Sequence, residues 1–159
     1  MFLSLNVALV FYFLMCNEFR WLSFGSLSLV YITMILGVYL GSVHQSLSCS
    51  EWPVCPSWFL KPPEPNYMFE YFHRISVVFA AGTIYATSVF AYIRIKAMQR
   101  LTLLAAIIVS VQILIGALVV TSRLDIRFVS IHLPIGVALF GITLLTFLLY
   151  RRRPPTSAN

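Results

Sequence analysis

The chain has 159 residues, of which 60% are hydrophobic and 10% are charged. Soluble globular domains have about 45–50% apolar and about 25% charged residues, so this composition excludes a water-soluble fold and indicates a single unit inside a lipid bilayer. The net charge of +6 does not indicate a nucleic-acid partner, because no soluble segment carries a basic stripe interleaved with aromatic residues.

The N-terminal segment Met1–Cys16 is apolar but lacks both a basic start and a small-residue cleavage site. It therefore does not fit a cleaved signal peptide. We expect residues 1–20 to form either a short extra span or an interfacial lead-in to the first long helix. An extra span would require the four residues Asn17–Arg20 to form a very tight hairpin.

Four later stretches reach the length of about 20 apolar residues that a helix needs to cross a bilayer. None of them contains an internal Asp, Glu, Lys or Arg, and no internal repeat is obvious. The stretches are Trp21–Val43, Ile75–Ile93, Leu101–Ser122 and Phe128–Tyr150. We therefore predict an all-α integral membrane four-helix bundle over residues 21–150. An outer loop would span residues 44–72, and a basic, disordered tail would span residues 151–159.

The charged residues between these stretches predict the orientation of the chain, because short loops rich in Lys and Arg stay on the cytoplasmic side. Arg20, the loop Arg94–Arg100 and the tail Arg151–Arg153 fall on one face if the helices alternate. Together with Glu18 they carry the whole net charge, and the opposite face is neutral. We expect the C-terminus inside and the cysteine-bearing loop outside, in a prokaryotic cell membrane or, alternatively, a mitochondrial inner membrane.

Two of the three histidines, His73 and His132, lie near the starts of the second and fourth stretches, which run in the same direction. Their imidazoles enter at comparable depth, within about two helical turns. Histidines on two different helices, with no acidic ligand, are typical of axial ligation of a haem iron. Each could instead be a polar residue at headgroup level, but ionisable groups inside membranes are costly and usually functional.

Glu70 lies three residues before His73, so the two share one face if the helix begins a turn early. The Glu-x-x-His spacing also occurs in di-iron bundles, which need further carboxylates that the four stretches lack. We interpret Glu70 as a proton relay or electrostatic partner, the alternative being a glutamate that interacts with the helix dipole. Arg74 could contact a haem propionate or extend to the membrane interface.

Cys49 and Cys55 lie in the predicted outer loop with five residues between them. Disulfides form and persist on the extracytoplasmic side, and a redox-active pair is the alternative. Structural zinc needs four ligands, and the set stays incomplete even if His44 contributes.

Several of these segments together closely resemble the first half of the haem A synthase family. Gly41–Cys55 has that family's short cysteine loop with Trp-Pro before the second cysteine, and Glu70–Arg74 has its Glu-x-x-His-Arg at the start of the next helix. Gln112–Val120 is similar to the family's third-helix signature, and Ile131–Leu133 to its fourth-helix histidine. The resemblance covers about residues 30–140, and the motifs are specific only as a set.

The resemblance implies a membrane oxidase that converts the C8 methyl of haem O into the formyl group of haem A, by successive hydroxylations and loss of water. It implies that His73 and His132 are the axial ligands of the haem iron, the cofactor being haem b, haem O or haem A. It further implies that Glu70 is a catalytic residue and that Cys49 and Cys55 form a disulfide. The implied partners are haem O as substrate and the lipid bilayer. The expected protein partner is a second copy of the chain or, alternatively, a respiratory oxidase or a haem O synthase.

The sequence departs from this family in two respects. Most members are about twice as long, with two four-helix halves related by pseudosymmetry, so we expect the present chain to self-associate, the alternative being that it works with one haem site. His44 stands where the family has an arginine. The alternative functions are a non-catalytic haem-binding or structural subunit of a membrane respiratory complex, and a small b-type electron-transfer cytochrome, which needs only His73 and His132.

Overall fold

The computed structural model describes residues 2–44, 46–49, 52–53 and 68–152, with the backbone alone for residues 2–16. In these ranges it has four α-helices and no strand. The helices are α1 (Phe2–Ser42), α2 (Met68–Arg94), α3 (Gln99–Thr121) and α4 (Ile126–Arg152), and a 3₁₀ turn, Lys96–Met98, joins α2 to α3. Each helix is long and apolar enough to cross a membrane. The predicted all-α four-helix architecture is therefore confirmed.

The helices extend beyond the apolar stretches that predicted them. α2 begins at Met68, ahead of the predicted start at Ile75, so Glu70 and His73 belong to its first turns. α4 ends with Arg151 and Arg152 in its last turn, where cations interact favourably with the helix dipole. Hydropathy marks only the part of a helix that lies in hydrocarbon, whereas the backbone hydrogen bonds continue into the headgroup region.

α1 runs without a turn through Asn17–Arg20, so the hairpin that an extra span would need is not formed. This link contains neither glycine nor proline, and nothing in it interrupts a helix. The 41 residues of α1 correspond to a length of roughly 60 Å, and the stretch Asn17–Ser42 is by itself long and apolar enough to cross a membrane. Phe19 is fully buried against the rings of Phe90 and Tyr150.

The four helices form a four-sided bundle. α1 packs on α2 and α4, and α3 packs on the same two helices, so α2 and α4 are diagonal to each other. Neighbouring helices are antiparallel, and α2 and α4 therefore run in the same direction. We call the end of the bundle that contains Ser42, Met68, Thr121 and Ile126 the histidine end, and the opposite end the arginine end.

Two apolar clusters hold the bundle together, and both lie away from the histidine end. Small alanines allow the helices to approach closely. The central cluster consists of Val30, Ala80, Ala81, Ile84, Ala105, Val109 and Leu139, and the cluster at the arginine end consists of Phe19, Ala91 and Met98. All buried residues of α3 fall between Thr102 and Val109, so the part of α3 nearest the histidine end is less tightly enclosed.

A hydroxyl-rich layer lies next to the central cluster, around a cavity of about 10 Å³. Its hydroxyl groups come from Ser23, Ser26, Thr87, Thr102, Thr143 and Thr146. These groups bond to carbonyl oxygens of their own helices, as Thr87 Oγ1 does to Thr83 O at 2.7 Å. Buried polar groups are thereby satisfied inside the protein. Ser26 Oγ and Thr87 Oγ1 also lie 3.1 Å apart between α1 and α2, so one of the two hydroxyl protons serves this interhelical hydrogen bond as well as, or instead of, its own helix carbonyl.

The Ser26–Thr87 contact gives a double-mutant prediction. Losing either hydroxyl removes the interhelical bond, so Ser26→Ala and Thr87→Val together should destabilise the chain by about 0.6 kcal/mol less than the sum of the single changes. Unfolding in mixed micelles with increasing dodecyl sulfate measures the three free energies. Ser23→Ala with Thr143→Val is the matched control pair, and it should be additive because these hydroxyls bond to Arg20 O and Phe140 O of their own helices. Additivity at Ser26 and Thr87 would contradict the prediction.

Candidate functional site

Glu70, in the first turn of α2, binds the segment that follows α1. Its side chain is buried, with 3% of the residue exposed. Oε2 accepts hydrogen bonds from Ser48 Oγ and from the backbone N–H of Cys49, both at 2.8 Å. Oε1 forms an ion pair with the Arg74 guanidinium at 2.6 Å, one turn further along α2. Both carboxylate oxygens are therefore engaged.

Arg74 holds the same segment from the other side. One guanidinium nitrogen donates to Cys49 O at 2.8 Å, and the other donates to Pro53 O at 3.4 Å. The backbone of Cys49 is thus gripped at its N–H by Glu70 and at its carbonyl by Arg74, through hydrogen bonds that charge strengthens. We call Ser48, Cys49, Glu70 and Arg74 the loop clamp. Cys49 is 1% exposed, and its predicted partner Cys55 lies outside the described residues.

These contacts bear on the two roles that the sequence assigned to α2. A carboxylate that accepts two hydrogen bonds and pairs with a guanidinium is well suited to position a loop. The catalytic role of Glu70 and the propionate contact of Arg74 stay predictions. No sequence signal pointed to Ser48 as a partner of Glu70, because the bond depends on the path of the loop.

His73 lies one turn along α2 from Glu70 and packs into a notch on α1. Nδ1 lies 3.1 Å from the backbone oxygen of Thr33, so the imidazole proton belongs on Nδ1 and the lone pair on Nε2. In the described part of the chain no hydrogen bond engages Nε2. A Cβ on Gly37 would lie 3.2 Å from Cε1 of His73, and glycine therefore makes the space for the ring.

His132 occupies the corresponding position on the other helix pair. A Cβ on Gly116 of α3 would lie 3.2 Å from Cε1 of His132. The backbone oxygen of His132 accepts a hydrogen bond from Gln112 Nε2 at 2.9 Å. His132 Nδ1 is buried and has no hydrogen-bond partner among the described residues.

The two helix hairpins, α1–α2 and α3–α4, are therefore alike at the histidine end. Each histidine of the second helix packs against a glycine of the first, Gly37 in α1 and Gly116 in α3. The histidines lie on the diagonal helices α2 and α4, at the same end of the bundle. Neither glycine was predicted from the sequence, although each follows a polar residue by one helical turn, Thr33 in α1 and Gln112 in α3.

This donor set suits a haem better than a bare metal ion. Within the described ranges no group of three or more His, Cys, Asp and Glu residues could hold an ion. A haem iron needs only two axial protein ligands, and its imidazole ligands usually donate their other ring N–H to a second partner. His73 meets this condition through Thr33 O, and the notches at Gly37 and Gly116 fix the position of each ring.

The loop clamp gives a prediction about the segment that it holds. Glu70→Ala should raise the hydrogen-exchange rate of the Cys49 amide about 10- to 100-fold, the effect expected when a hydrogen bond to a charged acceptor is lost. Mass spectrometry or NMR of the chain in detergent measures that rate. Glu18→Ala, which removes an exposed carboxylate at the arginine end, is the matched control and should leave the rate unchanged. An unchanged rate in Glu70→Ala would show that the clamp does not hold the loop.

Comparison with known proteins finds one family and a set of curated relatives. The sequence model of the COX15-CtaA family, described as cytochrome oxidase assembly protein, matches residues 15–144. A protein named Heme A synthase from Geobacillus kaustophilus is 28% identical over 147 residues, which cover 89% of this chain and 46% of that protein. The Heme A synthase of Geobacillus thermodenitrificans is 26% identical, covering 90% of this chain and 47% of that protein.

A third relative, the Heme A synthase of Bacillus licheniformis, is 28% identical over 81% of this chain and 45% of its own length. The chain thus spans about half the length of the curated relatives it matches. The family match and the four apolar helices together make it a multi-pass membrane protein. Because the family model covers most of the sequence, including the loop clamp and both histidine notches, the chain belongs to the COX15-CtaA family of cytochrome oxidase assembly proteins.

Proposed function

We propose that the chain is a haem-binding membrane oxidoreductase of haem A biosynthesis, which converts the C8 methyl of haem O to a formyl group. The observation that carries the proposal is the pair His73 and His132, set in equivalent glycine notches on diagonal helices at one end of the bundle. Curated relatives that carry the name Heme A synthase support the reaction class.

His73 and His132 would hold the haem iron through their Nε2 atoms. The bound haem supplies redox chemistry at its iron, and the protein supplies the ligands and their orientation. Thr33 O fixes the His73 proton on Nδ1, which leaves Nε2 free to bind iron and raises its basicity. The same two ligands suit haem b as a cofactor and haem O as a substrate.

The loop clamp lies at the histidine end, one helical turn from His73. We propose that Glu70 acts on the reaction by positioning the loop, and that Arg74 stabilises the loop or contacts a propionate. A disulfide between Cys49 and Cys55 would close this loop covalently. The burial of Cys49 and the grip on its backbone support that pairing.

The charges support an orientation with the arginine end in the cytoplasm, because short basic segments stay on that side. The exposed basic residues at the arginine end are Arg94, Lys96, Arg100, Arg151 and Arg152. At the histidine end, by contrast, ion pairs join Glu70 to Arg74 and Asp125 to Arg127. Hydrogen bonds from Arg127 lower the pKa of Asp125 to about 2, so this carboxylate stays charged at physiological pH and offsets positive charge at that end.

A second copy of the chain is the proposed partner in the membrane. The chain matches less than half of each relative, and a dimer would restore eight long helices and a second histidine pair. Association with a respiratory oxidase or with a haem O synthase is the alternative. The competing function is a haem-binding subunit without activity, and the same ligand pair favours it equally.

Haem extraction tests the proposed activity. When the chain is expressed with a source of haem O, membranes should contain haem A, and the purified protein should show a Soret band. His73→Ala and His132→Ala should each abolish both signals, because each removes an axial ligand. His44→Ala, at an exposed histidine outside the bundle, is the matched control and should retain both. A Soret band without haem A would identify the haem-binding subunit, and the absence of any band would contradict haem binding altogether.

The glycine notches provide a second test with controls in the same chain. Gly37→Ala and Gly116→Ala should each weaken haem binding by about tenfold or more, because overpacking by one methyl group costs about 1–3 kcal/mol. Gly25→Ala and Gly141→Ala are the controls, since a Cβ at either position meets no atom within 4 Å. Haem titration into the apoprotein measures all four affinities. Equal affinities across the four variants would contradict the notch assignment.

A further inference from the structure

Gln112 and His132 pack reciprocally between α3 and α4. A Cβ on Gly136 would lie 3.0 Å from Gln112 Nε2, just as a Cβ on Gly116 would lie 3.2 Å from His132 Cε1. Gln112 and Gly116 are one turn apart on α3, and His132 and Gly136 are one turn apart on α4. Each helix therefore presents one polar side chain to the other helix and one glycine that receives its partner. The amide and the imidazole thus pack at adjacent turns of the same helix pair.

These two residues carry a complementary pair of polar atoms. Among the described side chains, the buried nitrogen and oxygen atoms that lack a hydrogen-bond partner are Gln112 Oε1 and His132 Nδ1. The orientation of the amide is fixed, because Nε2 donates to His132 O at 2.9 Å and a flipped amide would set two oxygens against each other. Oε1 is then an acceptor without a donor, and Nδ1 can be a donor without an acceptor.

In the first hairpin the corresponding imidazole nitrogen does have a hydrogen-bond partner. There the residue one turn before the glycine is Thr33, and its backbone oxygen accepts a hydrogen bond from Nδ1–H of His73. The Thr33 hydroxyl donates to Ser76 Oγ at 2.9 Å. In the second hairpin the residue one turn before Gly116 is Gln112. Its long side chain carries an acceptor oxygen that can play the part of the Thr33 carbonyl in the first hairpin.

We infer that Gln112 is the positioning residue of His132: the imidazole Nδ1–H donates to a water molecule, which in turn donates to the amide oxygen of Gln112. The inference includes this bridging water because the two atoms make no direct hydrogen bond, and bridging waters are common at buried polar atoms. The link keeps the His132 proton on Nδ1 and leaves Nε2 for iron. This inference deepens the proposed function and rests on it for the identity of the ligand that His132 binds.

The first test reads the position of the proton without any haem. The full chain, labelled with 15N at histidine, is studied in detergent by NMR, and His73→Gln and His44→Gln spectra assign the signals. We expect His132 to carry its proton on Nδ1. In Gln112→Leu the ratio of the Nδ1–H to the Nε2–H form should fall about two- to tenfold, the size expected for one hydrogen bond. An unchanged ratio overturns the inference.

Matched variants separate the hydrogen bond from packing. Gln112→Glu should keep the ratio, because a carboxyl group offers an acceptor oxygen whether or not it is protonated, and an equal fall in both variants overturns the inference. Gln99→Leu is the control on the same helix, since Gln99 Nε2 bonds to Tyr92 O at the arginine end. It should leave the His132 signal unchanged.

A further pair of variants leaves Gln112 itself intact. Gly136→Ala places a methyl group 3.0 Å from Gln112 Nε2 and should displace the amide, so the ratio should fall as in Gln112→Leu. Gly141→Ala, on the same helix with no atom within 4 Å of its Cβ, should have no effect. If Gln112→Leu does not fold, these two variants decide the question, and a ratio that is unchanged in Gly136→Ala overturns the inference.

The second test uses the haem-loaded protein. An imidazole that donates its Nδ1 proton is a more basic ligand and favours ferric iron, so the reduction potential should rise in Gln112→Leu but not in Gln112→Glu. A potential that is the same in Gln112→Leu and in the unchanged chain overturns the inference.

Failure of the proposed function and failure of the Gln112 inference give different results. If the tautomer responds as expected but no haem binds, the proposed function is wrong and the role of Gln112 stands. If haem binds through His132 and the tautomer does not respond, the role of Gln112 is wrong.

Discussion

A polar group buried between apolar helices has to find its partner inside the protein, and this constraint determines how each polar residue of the bundle is used. The buried serines and threonines meet it locally, by bonding to carbonyl oxygens of their own helix. Glu70 and Arg74 meet it together, by an ion pair and by gripping the backbone around Cys49. The imidazole of His73 meets it through a carbonyl of α1. Through these hydrogen bonds the loop is attached to α2, the same helix that carries His73.

The two hairpins share the contact between glycine and histidine but differ in how far they satisfy the constraint, because Gln112 Oε1 and His132 Nδ1 of the second hairpin lack a partner among the described residues. The first combines that contact with the loop clamp, so α1, the loop and the start of α2 are connected through charged hydrogen bonds. The second has no such clamp among its described residues. The turn between α3 and α4 instead runs through Arg123 and Leu124 in the left-handed conformation, and Asp125 accepts hydrogen bonds from the backbone and side chain of Arg127. The histidine end is therefore asymmetric even though its two imidazoles are placed alike.

The sequence was enough to predict the four helices and their relative directions. It did not predict which side of each helix contacts its neighbours. Uninterrupted apolar stretches predicted four helices, and alternation predicted that His73 and His132 enter from the same end. The i,i+4 spacing of Glu70 and Arg74 is visible in the sequence, but the ion pair between them was not predicted. The notches at Gly37 and Gly116 were not, because they depend on the rotation of each helix about its axis. Hydropathy does not report this rotation when all sides of a helix are apolar.

The position of the loop clamp connects the cysteine segment to His73, the proposed iron ligand, through a short stretch of one helix. Glu70, His73 and Arg74 lie within five consecutive residues of α2, so they move together if the first turns of that helix move. A change in the segment around Cys49 would alter the hydrogen bonds to Glu70 and Arg74, and through them the first turns of α2. His73 is held at the same point by Thr33 O and by the Gly37 notch. The state of the loop and the position of the imidazole are therefore mechanically linked, and the contacts that make this link lie within a few residues of the proposed haem site.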